Sequence, residues 1–200
     1  QNQIILKILR KEYLNIILLI STMIFTGDWM SDLAILESYL CDLEYKTGTA
    51  RLKKFGIKRS EGNSILFGYT FRGFLSKTKS REWCPCKKKF KTTLLTERPD
   101  LLIMFEEFRD HYFPGFDFSS VQLNKNYKIP RHIDNNNVGE SVLVCCGDYE
   151  GGATIVEVDG IEQSFDGRTM PICFDGSKYY HWVQDFTGTR YSCVFFRGNN

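Results

Sequence analysis

A chain of 200 residues, 42% hydrophobic and 25% charged, suits one ordinary globular domain with an extension and does not suit a disordered or fibrous protein. A net charge of +2 and a pI near 8.1 permit a nucleic-acid partner without requiring one. There are seven cysteines. Cys145 and Cys146 are adjacent in a strand-like run, so they face opposite ways and make a poor disulfide framework. A reducing intracellular compartment, nucleus or cytoplasm, is the expectation. Cys84-Pro85-Cys86 lacks the second cysteine pair or nearby histidine that a zinc set needs.

In chain order, residues 3–45 read as mostly helical. The apolar run 13–25 follows Lys7, Arg10 and Lys11 in the manner of a signal peptide. It has no small-x-small cleavage site and is too short to span a bilayer, so it is read as a buried helix and no membrane partner is expected. Leu33, Leu36, Leu40 and Leu43 recur at helical spacing, with Asp32 as the expected cap. Residues 46–59 are polar, basic and loop-like. Residues 64–73 are strand-like.

Residues 76–93 carry Lys77, Lys79, Arg81, Lys87, Lys88, Lys89 and Lys91, flanked by Arg72 and Arg51 and interleaved with Trp83 and Phe90. Such a run is a solvated loop or a phosphate-contacting patch. Residues 96–113 read as one helix with Pro99 near its start, where a missing N–H is harmless. His111 in its last turn reads as structural.

From residue 118 the pattern changes to short strands: 118–124, 141–147, 154–158, 161–165, 169–174, 179–183 and 191–196. Asp159-Gly160 marks a hairpin between two of them. Strands at this spacing predict a sandwich or jelly roll.

Two of the chain's three histidines fall in this region. His132 and Asp134 are two apart in an extended segment and face the same way. His181 lies on a late strand that a jelly roll can bring alongside. Two imidazoles and one carboxylate on one side of a metal, with the other positions open, form the facial triad of non-haem iron(II) oxygenases. Arg190 follows nine residues after His181, with Ser192 on the same face. A buried arginine there can take a distal carboxylate bidentately, with the serine hydroxyl as second donor. The competing reading is a surface H-x-D, a core His181 and a solvated Arg190. Asn124 and Asn126 share a face of the first β strand of this region and either line the cosubstrate pocket or cap turns.

The runs 121–126, 131–137, Gly139-Glu140-Ser141, 147–152, Phe174-Asp175-Gly176, Tyr180-His181-Trp182 and 187–196 resemble the 2-oxoglutarate/iron(II) dioxygenase superfamily. Within it, the resemblance is to the branch of TET and J-binding-protein oxygenases with their protist, algal and viral relatives. It covers residues 64–197 and is strongest over 118–196. It implies an α+β fold: a double-stranded β-helix (jelly roll) over 61–200, with a helical extension over 1–60 packed on its outside. It implies Fe(II) on His132, Asp134 and His181, 2-oxoglutarate held by Arg190 and Ser192, and O2 as the oxidant. It also suggests Asn137 as a substrate contact, against the plainer reading of a turn asparagine.

The chain departs from the TET pattern in lacking the Cys-rich zinc-binding portion and a histidine after Arg190. These departures weaken methylcytosine as substrate more than they weaken the reaction type. Hydroxylation of a nucleobase or its methyl group in DNA or RNA is the first expectation, peptidyl (prolyl-type) hydroxylation of protein the second, and a non-catalytic subunit retaining the fold the third.

Overall fold

The computed structural model describes residues 24–45, 63–75 and 83–198. The readings for 1–23, 46–59 and 76–82 lie outside the described residues. The described residues form three helices, α1 (Trp29–Cys41), α2 (Thr93–Glu97) and α3 (Asp100–Tyr112). They also form eleven strands: β1 (Asn63–Leu75), β2 (Trp83–Lys91), β3 (Ser120–Lys125), β4 (Ser141–Cys146), β5 (Tyr149–Gly151), β6 (Thr154–Val158), β7 (Ile161–Phe165), β8 (Ile172–Phe174), β9 (Tyr180–Val183), β10 (Phe186–Gly188) and β11 (Tyr191–Phe196). A six-stranded sheet, β2-β1-β3-β11-β4-β8, faces two smaller ones, β7-β6-β9 and β10-β5, and every pairing is antiparallel. The chain passes repeatedly between the large and small sheets, and the result is a double-stranded β-helix.

Strand alternation builds two cores back to back. On β4, Val142, Val144 and Cys146 join the helix-side core, while Leu143 and Cys145 join the core between the sheets. The two adjacent cysteines therefore face opposite ways. On β11, Tyr191, Cys193 and Phe195 take the helix side, and Val194 packs between the sheets. The helix-side core is aromatic: Phe105 packs edge-on against Phe195 at 5.5 Å and near Phe67 at 5.2 Å. Leu33, Leu36 and Leu40 of α1 are buried in it.

Three local expectations are corrected. Asp28, not Asp32, caps α1 by accepting from the Ser31 N–H at 2.9 Å. Asp32 is fully buried, and accepts from the Thr26 N–H and hydroxyl, the Gly27 N–H and the Tyr112 hydroxyl. It pins the start of α1 to the end of α3. The helix expected over 96–113 is two helices. Arg98, at φ −128° and ψ 66°, leaves the helical region because the following proline crowds that conformation, and Pro99 restarts the chain as the N-cap of α3. Trp83–Lys91 is not a loop but a strand paired with β1.

β5 and β10, three residues each, pair with one another and were not legible in the sequence. β8 is shorter than the expected 169–174. Thr169 closes a turn by donating to the Asp166 carbonyl, and Pro171 has no N–H for a ladder.

Candidate metal centre

His181 sits mid-strand on β9, opposite Val156 of β6. The segment carrying His132 lies against the other side of β9. His132 and His181 exchange both backbone hydrogen bonds at 3.0 Å, and the Val183 N–H reaches the Ile129 carbonyl. Their rings lie 4.2 Å apart. Arg131 is clamped bidentately by Glu157 of β6 and stacks on Tyr180 at 3.6 Å, which ties down the residue before His132. The Asp134 N–H donates to the Gly176 carbonyl at 2.8 Å. Gly176 lies beside both side chains: a Cβ there would be in ordinary contact, 3.4 Å from His181 and 3.7 Å from the Asp134 carboxylate.

The side chains of these three residues converge. His132 Nε2 is 3.5 Å from Asp134 Oδ1, and His181 Nε2 is 3.6 Å from Asp134 Oδ2. One donor atom from each residue falls within a span of 4.8 Å. The other ring nitrogens decide what these atoms can do. His132 Nδ1 contacts the Pro130 carbonyl at 2.8 Å, and His181 Nδ1 contacts the Tyr179 carbonyl at 3.0 Å. A carbonyl only accepts, so each Nδ1 carries the proton and each neutral ring turns an Nε2 lone pair toward Asp134. Imidazoles held this way are dressed as metal ligands. Burial pushes the Asp134 carboxyl up; hydrogen bonds and charge from the two histidines in their doubly protonated form outweigh it and hold the group well below the usual carboxylate range, and with the rings neutral that role falls to a bound cation. Asn137 donates to Asp134 Oδ2 at 3.4 Å and to the Ser141 hydroxyl at 3.3 Å.

Arg190 lies at the other end of the space between the sheets and is only 2% exposed. Its Nε donates to the Gly152 carbonyl at 3.1 Å; its Nη2 meets Cys145 Sγ at 3.1 Å and the Thr154 hydroxyl at 3.4 Å. The rings of Tyr149 and Phe186 lie 5.5 and 5.8 Å from the guanidinium. Among the described residues no carboxylate forms an ion pair with it. Burial pushes up both the Cys145 thiol and the Tyr149 phenol, so neither supplies a negative charge. A buried cation with neutral neighbours is costly unless an anion joins it.

The spacing between the two ends follows from β6. Thr154, beside Arg190, is two residues from Val156, which pairs with His181. Two residues of strand span about 7 Å, close to the length of a short dicarboxylate.

Between the two ends, Asn124, Ser192 and Cys145 lie in register across β3, β11 and β4. Asn124 Nδ2 contacts the Ser192 hydroxyl at 3.1 Å, and its buried Oδ1 has no hydrogen-bond partner. Turning this amide over lets Ser192 donate to Oδ1 and frees Nδ2 as a donor to a bound carboxylate. Asn126 does not share this face. It leaves the strand at φ 50°, and its side-chain oxygen accepts from the Arg190 N–H at 2.8 Å while its own N–H reaches the Arg190 carbonyl. It holds the arginine's backbone in place.

Sequence reasoning did not assign Cys145, Thr154, Gly152 and Tyr149 to this end. Their only signal is that they face inward on strands beside Arg190, and that depends on a register the sequence does not state. Gly152, at φ 69°, leaves no room for a side chain: a Cβ would come within 3.0 Å of Arg190.

No protein-family model matches the chain, and no curated protein matches it. Several solved structures are similar. NgTET1 in complex with 5mC DNA is 15% identical with a TM-score of 0.47; the match covers 75% of this chain and 66% of that one, so it spans about two thirds of that protein. An oxidoreductase of the 2OG-Fe(II) oxygenase family from Burkholderia pseudomallei is 17% identical with a TM-score of 0.49, covering 84% and 81%. A Pseudomonas putida prolyl-4-hydroxylase is 12% identical with a TM-score of 0.48, covering 88% and 89%.

Proposed function

We propose that the chain is an Fe(II)- and 2-oxoglutarate-dependent dioxygenase. His132, Asp134 and His181 hold the metal, and Arg190 binds the distal carboxylate of the cosubstrate. The observation that carries this reading is the pairing of the two ends. A facial set of two Nε2 atoms and one carboxylate suits iron but also suits zinc. The buried guanidinium about a dicarboxylate's length away, with no carboxylate paired to it among the described residues, separates the two, because a simple hydrolytic zinc site has no use for it. Ser192 and Asn124 add hydroxyl and amide donors along the cosubstrate's path. When bound, iron, 2-oxoglutarate and O2 supply the oxidation that converts a substrate C–H to C–OH while the cosubstrate leaves as succinate and CO2.

The protein's own residues do the positioning. The Pro130 and Tyr179 carbonyls fix the imidazole tautomers. Asn137 orients the carboxylate that both imidazoles approach, and this is the role we assign it in place of a substrate contact. Phe174, with its ring 4.9 Å from that of His181, and Val156 give the metal an apolar flank that limits water.

For the substrate, we favour a nucleobase or its methyl group over a peptidyl proline. The support is the basic content of the β1–β2 segment, which a peptide substrate does not call for. A paired base would be turned out of its stack to reach the metal.

The experiment incubates the protein with Fe(II), 2-oxoglutarate and O2, follows succinate, and then adds methylated and unmethylated oligonucleotides or a proline peptide under mass spectrometry. Succinate that depends on His132, together with an added oxygen on the oligonucleotide, supports both parts. No succinate sinks the dioxygenase reading. An oxygen gained only by the peptide sinks the nucleobase reading and leaves the reaction type standing.

A further inference from the structure

Eight of the chain's 26 Lys and Arg residues, but only one of its 24 acidic residues, lie within 69–91, so the remainder of the protein is net negative. The register of the strands places five of the eight, Arg72, Lys87, Lys88, Lys89 and Lys91; Lys77, Lys79 and Arg81 lie outside the described residues. β1 pairs with β3 only from Asn63 to Gly68; from Tyr69 to Leu75 it pairs with β2 alone. The β1–β2 ribbon therefore runs past the end of β3. Seven residues of strand reach about 23 Å.

The end it leaves from is the metal end. Gly68 pairs with Ser120, and Ser120 pairs with Phe196. Gly198 bridges to Asn137, whose amide reaches Asp134. The Arg190 end lies at the opposite limit of β3, where Asn126 bonds to Arg190.

The ribbon also concentrates charge at one level. The register slips between the pairs Phe71↔Lys89 and Gly73↔Pro85. Arg72, Lys87 and Lys88 fall inside that irregularity, with Lys89 at its border. Like charges gathered on a two-stranded ribbon repel one another, and an anion lying along it relieves the repulsion. A two-stranded ribbon is also a shape that nucleic-acid grooves accept.

We infer that the β1–β2 ribbon is the surface that grips the phosphate backbone of a nucleic acid and lays it across the metal end of the barrel, through the cations Arg72, Lys87, Lys88, Lys89 and Lys91. This rests on the nucleobase reading above and names the surface that serves it. Phosphates repeat along a nucleic-acid strand, so several cations carried by one ribbon can each neutralise one of them.

The test is a binding assay that needs neither iron nor turnover. Anisotropy of a labelled single-stranded oligonucleotide is measured against salt for the full chain and for a variant carrying Lys87→Gln, Lys88→Gln, Lys89→Gln and Lys91→Gln. The salt slope is expected to fall by about 3 and the affinity by more than about tenfold, while uncoupled succinate formation is unchanged. The matching four Lys→Arg changes restore both. Should the Gln variant fail to fold, photocrosslinking of the unaltered protein to an iodouracil oligonucleotide decides, with the crosslink expected in a peptide from 69–91. An unchanged salt slope, a crosslink confined to other segments, or equally tight binding to anionic phospholipid vesicles or polyglutamate overturns the inference. Loss of succinate formation in His132→Ala with oligonucleotide affinity intact supports it. Absence of succinate from the unaltered protein, by contrast, tells against the dioxygenase and leaves the binding result to stand by itself.

Discussion

The two faces of the six-stranded sheet share the same strands and do opposite things. On the helix side, Phe67, Phe105, Phe108 and Phe195 are fully buried and packed ring on ring. On the other side, one residue away along the same strands, stand Asn124, Ser192, Cys145 and Arg190. There a buried amide oxygen is unpartnered and a guanidinium has no ionised partner among the described residues. A sheet can hold groups that are costly to bury on one face because the other face supplies the stability. The contrast separates positions where substitution should harm the fold from positions where it should harm binding.

The contrast is broken most sharply at the triad. His132→Ala or Asp134→Ala should lower turnover by more than about 100-fold, beyond the range that loss of a group supporting a ligand produces, with little change in melting temperature. Comparable melting losses would make these residues structural. Phe105→Ala tests the other face. It should cost about 3–5 kcal/mol in chemical denaturation while leaving the KM for 2-oxoglutarate unchanged in the fraction that folds.

Arg190→Lys should raise the KM for 2-oxoglutarate about 10- to 100-fold, with a smaller fall in kcat, because a single ammonium cannot replace the bidentate fork. Asn137→Ala should weaken iron affinity about tenfold, as removing a group that orients a ligand does.

The smallest effect expected concerns acid. Burial raises the Asp32 carboxyl, but its hydrogen bonds from Thr26, Gly27 and Tyr112 outweigh this and hold it below its ordinary value of 3.8. Its folded-state value is depressed, so the stability it contributes is complete above that ordinary value and fades as the pH falls below it. Asp32→Asn should flatten the pH dependence of stability below about pH 4. An unchanged acid limb would remove Asp32 from the account.

The sequence made the candidate site residues and the fold class more legible than the contacts around them. His132, Asp134, His181, Arg190 and Ser192 were singled out by residue type, strand spacing and the superfamily resemblance, and the structure brings the side chains of the first three together. The jelly roll itself was legible from strand spacing and turn residues. The partners of Arg190 were not. Cys145 and Thr154 reach it only through the β4–β11 and β6–β9 registers, which are long-range. Asn126 was misplaced because a positive φ at the strand's end turns it out of the alternation. Asp32 was misread as a cap because helical spacing cannot distinguish a capping carboxylate from one that a neighbouring helix and loop enclose. The basic run was legible as charge, but where its described part leaves the sheet emerges only from the pairing of β1 with β2 and β3.

The most direct test of the central claim is an anaerobic calorimetric titration of the protein with Fe(II) and then with 2-oxoglutarate, repeated on His132→Ala and Arg190→Leu. The expected result is one iron per chain and one 2-oxoglutarate that binds tightly only after iron. His132→Ala should lose both, and Arg190→Leu should keep the iron and lose the cosubstrate. Iron binding unaffected by His132→Ala, or 2-oxoglutarate binding equally well without Arg190, would contradict the account.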